Sequence, residues 1–102
     1  MAAVAADQPF DDDEWSALAR ADAHAQNRLI ARFQPALRLK FEASIHSAEL
    51  VVTAEEDSFR RVFRFMTSGR QIPDEATLPL FIDGISGHVM REILRAHQPP
   101  EA

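Results

Sequence analysis

Four histidines and an unusual excess of arginine are the side chains of this 102-residue sequence that could do chemistry. Glu42 with His46, and His88 with Glu92, stand four residues apart, a spacing that puts two metal ligands or an acid–base pair on one helix face. Such pairs are commonly surface hydrogen bonds, and nothing here extends them: there is no His-Glu-x-x-His zinc pattern, no glycine-rich phosphate loop and no nucleophile signature. His24 and His97 are the other two histidines. The sequence lacks cysteine, which excludes thiol chemistry, thiolate metal sites and disulfides. We therefore expect binding without catalysis, and no cofactor or metal.

The basic residues are ten Arg and one Lys. Guanidinium groups are planar donors suited to phosphate and carboxylate. They fall into separate stretches: Arg60, Arg61 and Arg64 after Glu55, Glu56 and Asp57; Arg70 near Gln71, Asp74 and Thr77; and Arg91 and Arg95 near His88. The formal charge of −5 is unevenly placed, because Asp7, Asp11, Asp12, Asp13 and Glu14 supply five negatives before Trp15, leaving eleven acids against eleven bases. Local patches, not the overall charge, must decide what partner is bound.

The elements that carry these residues read as helices. Phe81, Ile85, Val89 and Ile93 recur every fourth position, with Ile82, Met90 and Leu94 beside them, a stripe about 100° wide. Gly84 and Gly87 interrupt the segment, each costing about 1 kcal/mol relative to Ala in a helix interior. Close approach of another backbone or a ligand would account for them, as would tight helix packing. Asp11 with Glu14 has capping-box spacing, Asp22 suits the start of a second helix, and Pro35 lies within it. The apolar pattern Leu37, Phe41, Ile45, Ala48, Val52 predicts one kinked helix from about Asp22 to Val52. Leu50–Val52 could also form a strand, but nothing pairs with it. Thr53 and Glu56 have capping-box spacing ahead of a helix with Phe59, Val62, Phe63 and Met66 on its inner side and the charged set on its outer side. Ser68 and Gly69 should stop it, and Thr77 should cap the last helix with Pro79 in its first turn.

The fold class predicted is all-α, a compact bundle of three to four helices over residues 13–96, closing on Phe33, Phe41, Phe59, Phe63 and Phe81. An acidic disordered tail is expected over 1–12 and a linker-like tail over 97–102. No apolar run reaches the roughly 18–20 residues of a membrane span, and the start has no signal-peptide pattern, so no membrane partner and a cytoplasmic location are expected.

Three motifs in order resemble the second conserved region of bacterial RNA polymerase sigma factors, in particular the extracytoplasmic-function group. WSALARADAHAQNRLIARFQPALRL is similar to the family's opening, EDSFRRVFRFM to its Glu-Asp-x-x-x-x-x-Phe helix, and FIDGISGHVMREILR to its Trp-Leu-x-x-Ile-Ala-x-Asn-x-x-x-Asp-x-Leu-Arg helix. In the last, Phe81, Ile82, Ile85, Ser86, His88, Glu92, Leu94 and Arg95 occupy the matching places. The resemblance implies a domain that docks on RNA polymerase core and opens promoter DNA. It puts Glu56, Asp57, Arg60 and Arg61, extended by Arg64, on the polymerase-facing helix. His88, Arg91 and Arg95 fall on the DNA-facing helix, and Arg70, Gln71, Asp74 and Thr77 in the loop that receives an extruded base of the non-template strand.

The chain departs from the family at several points. Arg60-Arg61 stands where Gln-Glu is usual, Phe81 and His88 replace Trp and Asn, and about one extra turn separates Pro35 from Glu56. Asp83 and Glu92 are expected to offset part of the charge of Arg91 and Arg95. The sequence stops where the family's interdomain linker begins, so either an excised domain or a sigma-like protein without the family's helix-turn-helix is expected. These departures suggest the alternative of a sigma-like interaction module that binds an anti-sigma factor or another protein.

Overall fold

The computed structural model describes residues 8–97. They form four helices, α1 (Asp12–Ala19), α2 (Ala23–Ser44), α3 (Ala48–Thr67) and α4 (Thr77–Ala96), with no strand among the described residues. The fold is thus all-α, a small helical bundle. Of the tails expected over 1–12 and 97–102, residues 1–7 and 98–102 lie outside the described residues, whereas Asp11 and Asp12 already belong to the cap and first turn of α1.

Helix starts follow local polar chemistry. The capping box forms: Glu14 N–H donates to Asp11 Oδ1 at 2.8 Å, and Asp11 N–H to Glu14 Oε1 at 3.2 Å. The chain then reverses at Ala21, which adopts the left-handed φ of 59°. Asp22 caps α2 by accepting from Ala25 N–H at 2.9 Å. Helix α2 continues through Pro35, forgoing the hydrogen bond that a proline cannot donate.

The expected continuity of α2 to Val52 fails. The backbone is extended at Ile45 and Ser47, and Ser47 starts α3 by accepting from Leu50 N–H at 3.3 Å. Thr53 is therefore an interior residue of α3, not its cap. Ile45 explains why the apolar spacing runs unbroken across the corner: it is buried there although it belongs to no helix, whereas Val52 is exposed. The short run Leu50–Val52 is helical.

Helix α3 ends at Ser68, followed by Gly69 with φ +88°, the left-handed conformation that favours glycine after a helix. At the start of α4, Thr77 is the first helical residue and the cap comes from Asp74, whose Oδ1 accepts from the Thr77 N–H at 2.8 Å and hydroxyl at 2.7 Å. Pro79 sits in the first turn, where its missing N–H would have no partner.

Helices α2 and α3 pack against each other and against both remaining helices, while α1 and α4 do not meet. Leu18, Leu29, Phe41, Val62, Leu78, Ile82 and Val89 fill the space between them. Of the five predicted core phenylalanines, Phe41 and Phe59 are buried and Phe33, Phe63 and Phe81 flank the core half-buried. On α4 the inward line is Leu78, Ile82, Ser86 and Val89; Leu94 is exposed, and Phe81, Ile85 and Ile93 lie at the edge. Besides Val52 and Leu94, which the apolar pattern included but which are exposed, two residues expected outside are buried. Phe10, in the predicted tail, is buried, and Glu55, predicted on the solvent side, is 3% exposed with Oε1 accepting from Arg38 Nε and Nη2 at 3.0 and 2.8 Å. The bonded Glu55 carboxylate holds the Arg38 guanidinium above its ordinary pKa.

The position of the α2–α3 corner is testable by capping energetics. Ser47→Ala should cost about 1 kcal/mol in urea unfolding followed by circular dichroism, while Thr53→Ala, an exposed interior helix position, should be neutral or slightly stabilising. The reverse order would place the helix start at Thr53.

Candidate nucleic-acid interface

One end of the bundle is organised by Arg28 and Arg32, one turn apart on α2. Both guanidiniums pack on the Phe10 ring, with Cζ 4.6 and 5.3 Å from its centroid. Arg28 pairs with Glu14 of α1 and donates to the Gln8 carbonyl at 3.0 Å. Arg32 pairs with Glu75, in the segment between α3 and α4, and Glu75 Oε2 in turn accepts from Phe10 N–H at 3.3 Å. Phe10 meets Trp15 edge-on, with centroids 5.9 Å apart. The segment before α1, α1 itself and the loop before α4 are thereby held at fixed separation.

Between them lies an open cavity of about 590 Å³, within the range of about 300–1,000 Å³ typical of small-ligand sites. Asp12, Trp15 and Ser16 of α1 form one wall, the loop residues Arg70–Glu75 the other, and Leu18 and Met66 lie in its lining. Trp15 is half-buried, so part of its ring remains available. The loop itself contains no aromatic residue; the aromatic groups come from a segment more than fifty residues earlier, brought there by contacts that no local pattern encodes.

The four predicted loop residues divide. Arg70, Gln71 and Asp74 line the cavity, but Thr77 is committed to Asp74. The Thr77 hydroxyl, and next its N–H, hold the Asp74 carboxyl below its ordinary pKa, as suits a helix cap. Arg70 has no ion-pair partner among the described residues.

On α4, His88, Arg91 and Arg95 are all exposed, and Arg91 Nη2 lies 3.3 Å from His88 Nδ1. The acids expected to offset Arg91 and Arg95 are drawn elsewhere. Lys40 of α2 holds Asp83, donating to its Oδ1 at 2.8 Å and its carbonyl at 3.0 Å, and donates to Ser86 Oγ at 2.8 Å. Arg61 of α3 takes Glu92 in a two-pronged pair at 2.8 and 2.7 Å. Its hydrogen bonds are the main reason the Glu92 carboxyl sits below its ordinary pKa, and they raise Arg61 in return. Arg91 and Arg95 make no ion pair among the described residues.

Neither glycine of α4 admits a neighbouring helix backbone. A Cβ at Gly84 would meet nothing within 4 Å, and one at Gly87 would meet Arg91 Nη1 at 3.4 Å and Lys40 Nζ at 3.8 Å. The small residue at 87 thus leaves room for two cationic side chains.

The predicted polymerase-facing residues all lie along the outer side of α3, where part of their charge is paired internally. Asp57 bridges Arg60 at 3.2 Å and Arg61 at 3.0 Å, and Arg61 is turned toward α4. Glu56, Arg60 and Arg64, each four residues from the next, remain exposed along the outside of α3. Of the histidine pairs, His46 lies beyond the end of α2, which carries Glu42, whereas His88 and Glu92 share α4, with His88 beside Arg91 and still acting on Glu92 through space. Among the described residues no group of three His, Cys, Asp or Glu could hold a metal ion, and no helix is long and apolar enough to cross a membrane.

No protein-family profile, curated protein or solved structure matches this chain.

The Arg61–Glu92 pair has a pH signature. Because the folded carboxyl titrates below its unfolded value, the unfolded chain binds more protons through that window, so the stabilisation is present near neutrality and is lost as pH falls through the carboxylate range. Glu92→Gln should be less stable than the wild type near neutrality and lose less of its stability on acidification, as measured by urea unfolding at a series of pH values. Parallel curves for the two proteins would show that the pair contributes nothing.

Proposed function

We propose that this chain is a sigma-like domain of transcription initiation that binds the non-template strand of melted promoter DNA, with RNA polymerase core as its protein partner in the cytoplasm. The observation that carries the reading is the cavity between Trp15 and the Arg70–Glu75 loop. It is the loop to which the sigma resemblance assigns an extruded base, and it borders an aromatic ring on which a base can stack. Base–aromatic stacking contributes about 1–3 kcal/mol per base and tolerates any sequence. The unpaired Arg91 and Arg95 supply what the cavity lacks, cations for the backbone phosphates.

The two features lie well apart. Arg91 follows Thr77 by fourteen residues, about 20 Å along α4 at 1.5 Å per residue. A strand of several nucleotides is needed to span both. Phosphates run along α4, and one base leaves the strand for the cavity.

A second reading, a sigma-like module that binds an anti-sigma factor or other protein, is favoured by the exposure of Leu39 at 72% and Leu80 at 73%, large apolar side chains on the outside of α2 and α4. Arg60, basic and 61% exposed on the outside of α3, also fits the usual polymerase contact poorly.

The readings differ in salt dependence. Fluorescence anisotropy of labelled single strands, with and without core polymerase, should show the slope of log affinity against log salt falling by about 0.7 for each of Arg91→Ala and Arg95→Ala. Circular dichroism checks that both variants fold. Absence of binding by the folded wild type in either condition would remove the DNA reading in favour of the protein-interaction one.

A further inference from the structure

We infer that Asp12 makes the cavity selective for an amino-bearing base, cytosine, adenine or guanine, over thymine; the inference rests on the single-strand reading above. Three carboxylates line the cavity, and two are committed. Asp74 caps α4 through Thr77, and Glu75 is held by Arg32 and by the Phe10 N–H. Asp12, the exposed first residue of α1, has no ion pair and no side-chain hydrogen bond among the described residues. It is the carboxylate free to meet a ligand.

An ionised carboxylate only accepts hydrogen bonds. Cytosine N4, adenine N6, and guanine N1 and N2 carry N–H groups that can donate to it, as aspartate and glutamate accept from cytosine N4 in duplex readout. Thymine presents a single N–H between two carbonyl oxygens, so its approach to Asp12 sets acceptor lone pairs against negative charge. The same acidic lining, with Arg70 as its one guanidinium, disfavours phosphate. The backbone stays outside and a base alone enters. Trp15 supplies affinity that does not distinguish bases, and Asp12 supplies the distinction.

Position 12 also opposes the positive end of the α1 dipole, a purely structural role. Asp13 shares that role, being in the same first turn, but is not in the cavity lining. It is therefore the control.

Trp15 is the only tryptophan of the chain and lines the cavity, so its intrinsic fluorescence reports occupancy. Four short single strands identical except at one central base would be titrated into the full chain, and into Asp12→Asn and Asp13→Asn, with circular dichroism as a check on folding. At least one amino-bearing base should perturb Trp15 at about five-fold lower concentration than thymine. Asp12→Asn should erase that preference while Asp13→Asn keeps it, because an asparagine amide both donates and accepts. A thymine strand that binds as well as the other three, or a preference that survives Asp12→Asn, overturns the role of Asp12 and leaves single-strand binding intact. No response to any strand by the folded wild type overturns both.

Discussion

Arg28 and Arg32 occupy one side of α2, one turn apart, and between them they hold two stretches of chain that are far apart in sequence: Gln8–Glu14, which leads into α1, and the loop at Glu75. An exposed arginine–carboxylate pair contributes only about 0–1 kcal/mol. Here the guanidiniums are largely covered, each packs on the Phe10 ring, and each carboxylate also takes part in a second contact. The geometry is therefore over-determined. A cavity wall made by α1 and another made by a loop would otherwise move independently, and the distance from Trp15 to Arg70 and Gln71 would not be defined.

A second division of charge operates along α4. Its acids are taken by cations of the neighbouring helices, Asp83 by Lys40 and Glu92 by Arg61, so its own arginines are left to solvent. These contacts do two things at once. They fasten α4 to α2 and α3, and they give both acids hydrogen-bond partners other than Arg91 and Arg95, although Glu92 still interacts with Arg95 through space. The opposite arrangement holds at the cavity, where acids predominate. A ligand with a charged backbone and neutral heteroaromatic groups meets both environments without conflict, and single-stranded DNA has that composition.

Much of this was readable in the residues themselves. The cap at Asp11 with Glu14, the cap at Asp22 and the stop at Gly69 depend on local backbone chemistry, and the all-α class depends on periodicity and the lack of a partner strand. The α2–α3 corner was hidden because Ile45 is buried in an extended link, so the helical repeat passes through a break that only Ser47 marks. Phe10 and Glu55 were misplaced because their burial depends on distant partners, Arg28 and Arg32 for one and Arg38 for the other. The residues of the candidate site show the same split. The exposure of His88, Arg91 and Arg95 follows from their place on α4, whereas the aromatic wall of the cavity and the diversion of Glu92 to Arg61 arise only from packing.

The claim that the cavity and the outer arginines of α4 serve one strand is tested most directly by a two-dimensional NMR titration with a non-template-strand oligonucleotide long enough to span both. The account predicts that the Trp15 indole N–H, the amides of Arg70–Glu75 and the side-chain signals of Arg91 and Arg95 shift together, with one apparent affinity. Shifts confined to the outside of α2 and α3, or to the α4 arginines with Trp15 unmoved, would contradict it.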